Sequence, residues 1–139
     1  MKNNNDVAEE WYRFAMMDFT TAKYICNMRP KPLEIICYHL QQSAEKLLKG
    51  FIVSNNAEAP KTHDLTLLCE MCMEINADFE TLKENCKNLT PYGSQPRYPD
   101  EMEISELDTE KALQDIKSMI KFFKRKDIEL KELTNEESE

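Results

Sequence analysis

Apolar positions recur along the chain at helical spacing, interrupted by short polar or proline-bearing breaks. Trp11, Ala15, Ala22 and Ile25 fall on one stripe, which predicts a first helix over about Asp6–Met28. The Asp6 carboxylate is placed to cap its start, accepting from orphan backbone amides. Arg29-Pro30-Lys31-Pro32 ends it, because proline lacks an amide donor and restricts the residue before it. Ile36, Leu40, Ala44, Leu47 and Phe51 form the apolar row of a second helix, expected over Leu33–Asn55 and broken by Asn55-Asn56 and Pro60. Thr62 or Asp64 is expected to cap a third, with Leu65, Leu68, Cys72 and Ile75 facing inward. A short helix over about Phe79–Leu89 follows. Thr90–Ser105 reads as an irregular loop, with Pro91, Gly93, Pro96 and Pro99, whose Tyr92 and Tyr98 favour packing onto the body. A last helix starts near Asp108 or Thr109 and turns Ala112, Leu113, Ile116, Ile120 and Phe123 inward. It closes on Lys121, Lys124, Arg125 and Lys126, cations that suit the negative end of its dipole. The expected fold is all-α, an antiparallel up-and-down bundle of four to five helices.

The totals narrow this picture. A chain of 139 residues fits one domain. Two glycines argue against a glycine-built phosphate loop and a many-turned β fold. The formal net charge is -8, and the last eleven residues alone hold five Glu and one Lys. The division expected is therefore a helical domain over 1–128 and an acidic, disordered tail over 129–139. Overall acidity argues against broad nucleic-acid binding, which needs a basic footprint. Five cysteines form an odd set on apolar helical stretches, the N-terminus is polar, and no apolar run approaches the ~20 residues of a membrane span. Reduced thiols in a cytoplasmic protein, away from membranes, are the expectation.

Candidate chemistry gathers on the second helix. His39, Gln42, Lys46 and Lys49 are spaced by three, four and three residues, so they share one face. Their donors suit a phosphate or an acidic partner, although a solvated helix face has the same pattern. Glu45 beside them is placed to pair with Lys49 one turn on. Asp18 interrupts the apolar stripe of the first helix. An inward carboxylate must be paired, and Lys46, Lys49 or His39 is the expected partner. His63-Asp64 reads first as a cap with a packed histidine. Cys69 and Cys72 have metal-ligand spacing but no second pair, so they read as core residues, and no metal or cofactor is expected. Lys117, Lys121 and Arg125 read as a solvated, dipole-matched helix end.

From Trp11 to Phe123 the chain resembles a HEPN domain (higher eukaryotes and prokaryotes nucleotide-binding). Cys37-Tyr38-His39-Leu40-Gln41-Gln42-Ser43-Ala44-Glu45-Lys46-Leu47-Leu48-Lys49-Gly50 carries most of the likeness. Trp11, Ala15, Asp18 and Ala22 precede it, and Thr62-His63-Asp64-Leu65 and Arg97-Tyr98-Pro99-Asp100 follow. The resemblance implies a helical bundle that pairs into homodimers, a functional cleft near the second and third helices, and a minimal nucleotidyltransferase as partner. Relatives include nucleotide-binding modules and RNA-cutting toxins of toxin–antitoxin systems. The cutting members carry Arg followed by His after four to six residues; here those places after Arg97 hold Met102, Glu103 and Ile104. The pairing supplies a proton-transfer group beside a cation for the phosphate, and its absence argues against an enzyme. The reading is thus a non-catalytic module binding ATP or GTP or a partner protein, through Asp18, His39, Gln42, Lys46, Lys49, His63 and Arg97 as ligand contacts, with no catalytic residue. RNA is not the favoured ligand. The alternative is an RNA-cleaving toxin with a diverged site, whose base would be His39 or His63.

Overall fold

The computed structural model of the chain describes residues 3–94 and 103–131. Among them are five α-helices and no strand: α1 (Asn4–Ile25), α2 (Leu33–Ser54), α3 (Leu65–Ile75), α4 (Lys83–Leu89) and α5 (Glu106–Arg125). A 3₁₀ turn at Ala77–Leu82 leads into α4, and another at Thr90–Gly93 leaves it. The expected single helix over Phe79–Leu89 is therefore two pieces, the first tightened into 3₁₀ winding behind the Asn76 cap.

Local chemistry sets the helix ends. Asn3, not Asp6, caps α1: its side-chain oxygen accepts from the Asp6 amide at 2.9 Å, and Asp6 sits inside the first turn. The helix stops at Ile25, one turn short of Met28, with Cys26 as its C-cap. Asp64 caps α3, accepting from the Thr66 amide, while Thr62 braces the Asp64 amide. Ser105 caps α5 in a reciprocal box with Asp108, each side chain accepting from the other's backbone at 3.0 Å. The helix thus starts at Glu106 rather than at Asp108 or Thr109.

α2 is the central element. It runs against α1 along its length and also meets α3, α4, α5 and the Thr90–Gly93 turn. Ile36, Leu40, Ala44, Leu47, Leu48 and Ile52 are all fully enclosed. Gly50 lets α1 approach: a Cβ there would lie 2.6 Å from a Tyr12 ring carbon. Burial in this contact pushes the Tyr12 hydroxyl up to about 12, with Ser54 as hydrogen-bond partner. Phe79 anchors the other side, its ring 4.3 Å from that of Phe51 and edge-on to Phe122 and Phe123. Ile75, expected inside, is exposed at the last turn of α3. Leu130 packs onto the core beyond α5; residues 132–139 of the acidic tail lie outside the described residues.

Cys37, Cys69, Cys72 and Cys86 are buried and unbridged. Burial raises the Cys37 and Cys72 thiols, and a hydrogen bond from the Cys69–Cys86 contact raises Cys86 and lowers Cys69. Among the described residues no cluster fit for a metal ion occurs, and no helix is long and apolar enough to cross a membrane.

Two outcomes follow. Gly50→Ala forces the Tyr12 ring from its place and lowers stability by about 1–3 kcal/mol in denaturant unfolding; Ser105→Ala costs about 1 kcal/mol through the lost cap. Hydrogen bonding holds the Asp64 and Asp108 carboxyls below the usual carboxylate range. Their contribution is present above the unfolded-state value and is lost as pH falls through the folded one, so the melting temperature drops in that acid window and Asp64→Asn flattens the drop.

Candidate functional site

α2 carries two clusters in which a buried carboxylate grips a lysine and a histidine, one against α1 and one against the entry to α3. Asp18 projects from α1 among apolar neighbours and is buried. Its Oδ1 accepts from His39 Nδ1 at 2.9 Å and its Oδ2 accepts from the Lys46 ammonium. Of the three partners expected for Asp18, the structure supplies His39 and Lys46.

The second cluster centres on Glu45, also buried. Its Oε2 accepts from Lys49 Nζ at 3.0 Å, the pairing expected one turn along the helix. Its Oε1 accepts from His63 Nδ1 at 2.8 Å, with Gln41 Nε2 and Gln42 Nε2 each at 3.4 Å. Gln42 Nε2 also donates to Gln41 Oε1 at 2.8 Å, and Gln41 Nε2 to the His63 carbonyl at 3.0 Å. Because a carboxylate only accepts, both histidines must carry their proton on Nδ1, which turns Nε2 away from the acid.

The stripe of four expected contacts therefore divides by access. The Lys46 side chain is 24% exposed and His39 is half-buried beside it. The Lys49 side chain is 8% exposed and lies 5.9 Å over the Trp11 ring. His63, expected as a packed histidine, instead has a side chain 68% exposed, tethered at Nδ1 by Glu45. Gln42 lies between the two clusters, half-buried. Arg97 and Tyr98 lie outside the described residues. Lys117, Lys121 and Arg125 are exposed on α5.

Gly93 closes the lower edge of the Glu45 cluster. A Cβ there would stand 2.8 Å from Gln41 Nε2, so a larger residue in the turn after α4 would displace the Gln41 amide from its place. Glu45 and Gln41 were absent from the residues expected to form the site. The i, i+4 spacing of Gln41, Glu45 and Lys49 is visible in the sequence; the approach of His63 is a tertiary event.

Each cluster pairs one carboxylate with one lysine, so the attraction for an anion is local and directional rather than a net positive field. A cavity of about 300 Å³ lies elsewhere, between α1 and the segment after α5, lined by Glu9, Tyr12, Arg13, Met16, Glu129 and Lys131.

This geometry sits in a recognisable frame. The HEPN domain model matches residues 8–126. Among solved structures, that of TT1696 from Thermus thermophilus is similar with a TM-score of 0.67 and 23% identity, covering 86% of this chain and 97% of that one. At that identity the likeness concerns the fold. No curated protein matches the chain. The matched span takes in the Asp18 and Glu45 clusters, the Gly93 turn and every helix but the first four residues of α1, and the chain belongs to the HEPN domain family.

Proposed function

We propose that this HEPN domain is a non-catalytic binding module that takes a nucleotide, ATP or GTP, or an acidic partner protein on the outer face of α2. In this reading it acts in the cytoplasm as a homodimer beside a minimal nucleotidyltransferase, in a toxin–antitoxin-like system. The observation that supports it is the fixing of His39 and Lys46 by one buried carboxylate. Donors held in place before a ligand arrives lose little freedom on binding, which favours affinity. Lys46 meets phosphate charge, Gln42 orients the ligand, and Asp18 holds the lysine. Lys49 acts indirectly, by holding the Glu45 carboxylate in place.

A second reading rests on His63. Its Nδ1 on Glu45 and its exposed ring are the arrangement in which a carboxylate orients a general base. The arginine–histidine pair of the RNA-cutting relatives has no counterpart in this sequence, which ranks this reading second.

Titration calorimetry with ATP and GTP tests the first reading. Wild type binds and Lys46→Ala binds at least about tenfold more weakly, a difference of about 1.4 kcal/mol; equal binding by both, or none by either, contradicts it. Incubation with total RNA leaves the RNA intact; cleavage that disappears in His63→Ala would promote the second reading over the first. Purification from the native host brings a nucleotidyltransferase with the chain, and a chain that always elutes alone would remove that partner.

A further inference from the structure

The cations of α5 exceed what its fold uses. Lys126 pairs with Asp78 just past the helix, as Lys31, Lys46 and Lys49 pair elsewhere with Glu106, Asp18 and Glu45. Lys117, Lys121, Lys124 and Arg125 are exposed, and their side chains have no ion-pair or hydrogen-bond partner among the described residues. A dipole-matched helix end accounts for Lys124 and Arg125, which stand in the last turn. The dipole effect falls off within that turn, so it does not account for Lys117 and Lys121.

These side chains border a groove. α1 and α5 both pack on α2 but only graze each other. Between them lies a dish of about 210 Å³, lined by Met16, Phe19, Lys23, Lys117, Ile120 and Lys124. Its floor is apolar, since Met16, Phe19 and Ile120 are all buried. Its rim is three ammonium groups from two helices, and among the described residues no acid lines it. Lys23 leans across the floor, its ammonium 4.7 Å over the Phe19 ring. Lys121 and Arg125 continue the row, which runs ~12 Å along α5 from Lys117. The nearest acids in sequence stand at its two ends: Glu110 two turns before Lys117, and Asp127 and Glu129 beyond the helix, beside Lys124.

We propose that this groove binds a short acidic peptide segment of a partner protein, with an apolar residue on the dish and carboxylates on Lys23, Lys117, Lys121 and Lys124. The surface is distinct from the α2 face of the proposed function. Asp18 follows Met16 by two residues, about 200° around the helix, so the Asp18–His39–Lys46 cluster lies on the other side of α1. Three observations select the occupant. The first is charge: unpaired cations gather around an acid-free dish on a chain whose net charge is -8. The second is spacing. Alternate side chains of an extended peptide fall on one side about 6.6–6.8 Å apart, so the row takes two or three carboxylates in register. The third argues against a nucleic acid. A strand runs on past the patch and meets the acidic remainder of the chain. Single-strand binders also offer exposed rings for base stacking, whereas the ring in this dish, Phe19, is buried beneath Lys23.

Fluorescence anisotropy with the full chain tests the groove. The probe is a fluorescein-labelled nonapeptide with Leu at its centre and Glu elsewhere. Wild type binds it saturably, and added salt weakens the binding. The same peptide with Gln in place of Glu does not bind. Lys117→Glu combined with Lys124→Glu weakens binding at least about tenfold, with unchanged helical circular dichroism because both side chains already face solvent. Lys46→Ala leaves peptide binding as it is, which separates this surface from the α2 face. No saturable binding up to ~1 mM peptide, equal binding by the double variant, loss of binding in Lys46→Ala, or tighter binding of a labelled single-stranded RNA than of the peptide overturns the inference. Nucleotide titration of the same samples reads the α2 site separately: a wild type that binds ATP but not the peptide removes the groove and leaves the module.

Discussion

Two buried carboxylates, Asp18 between α1 and α2 and Glu45 between α2 and the entry to α3, govern how this bundle is arranged. A buried acid without partners is so costly that it shifts or unfolds its surroundings, so Asp18 and Glu45 dictate what stands next to them. Removing one partner of such a pair costs about 3–5 kcal/mol, whereas an exposed ion pair such as Lys31–Glu106 contributes about 0–1 kcal/mol. The register of α1 on α2 is therefore tied to polar contacts as much as to apolar ones. Gly50 adds to this by letting Tyr12 and Trp11 of α1 come close to the α2 backbone.

The same contacts shape the accessible chemistry. Each acid consumes one lysine and one ring nitrogen, which cancels charge but fixes direction. Lys46 and His39 reach the surface as oriented donors, while Lys49 disappears beneath Trp11. The His63 main chain joins the network through its carbonyl, so the entry to α3 is fastened to Gln41, with the Gly93 turn close beside it. A face that reads as a row of cations is, in the folded chain, two neutralised clusters with part of each turned outward.

The helices and most of the core were legible in the sequence because Ile36, Leu40, Ala44 and Leu47 keep strict helical period and all are enclosed. The ends were less so. Asn3 and Ser105 cap through side-chain contacts that a run of polar residues hides, and Ser105 pairs with Asp108 where the usual box has Glu or Gln. Ile75 keeps the apolar period but falls on the last turn, where the neighbouring elements no longer cover it. In the site, the Asp18 anomaly and the Glu45–Lys49 spacing were visible because both follow from one helix's geometry. The place of His63 on Glu45 was not, since it depends on how the chain between α2 and α3 returns. The shared face of His39, Gln42, Lys46 and Lys49 likewise said nothing of which members face inward.

The account turns on the claim that the two clusters hold their donors for a ligand and do more than fasten helices. The chain has only two histidines, one in each cluster, so their ring ¹H–¹⁵N resonances report on both without ambiguity. Following those resonances while ATP is added tests the claim most directly. The account predicts a saturable shift of the His39 signal, with a smaller one at His63 across Gln42; two signals that stay still while ATP saturates the protein would contradict it.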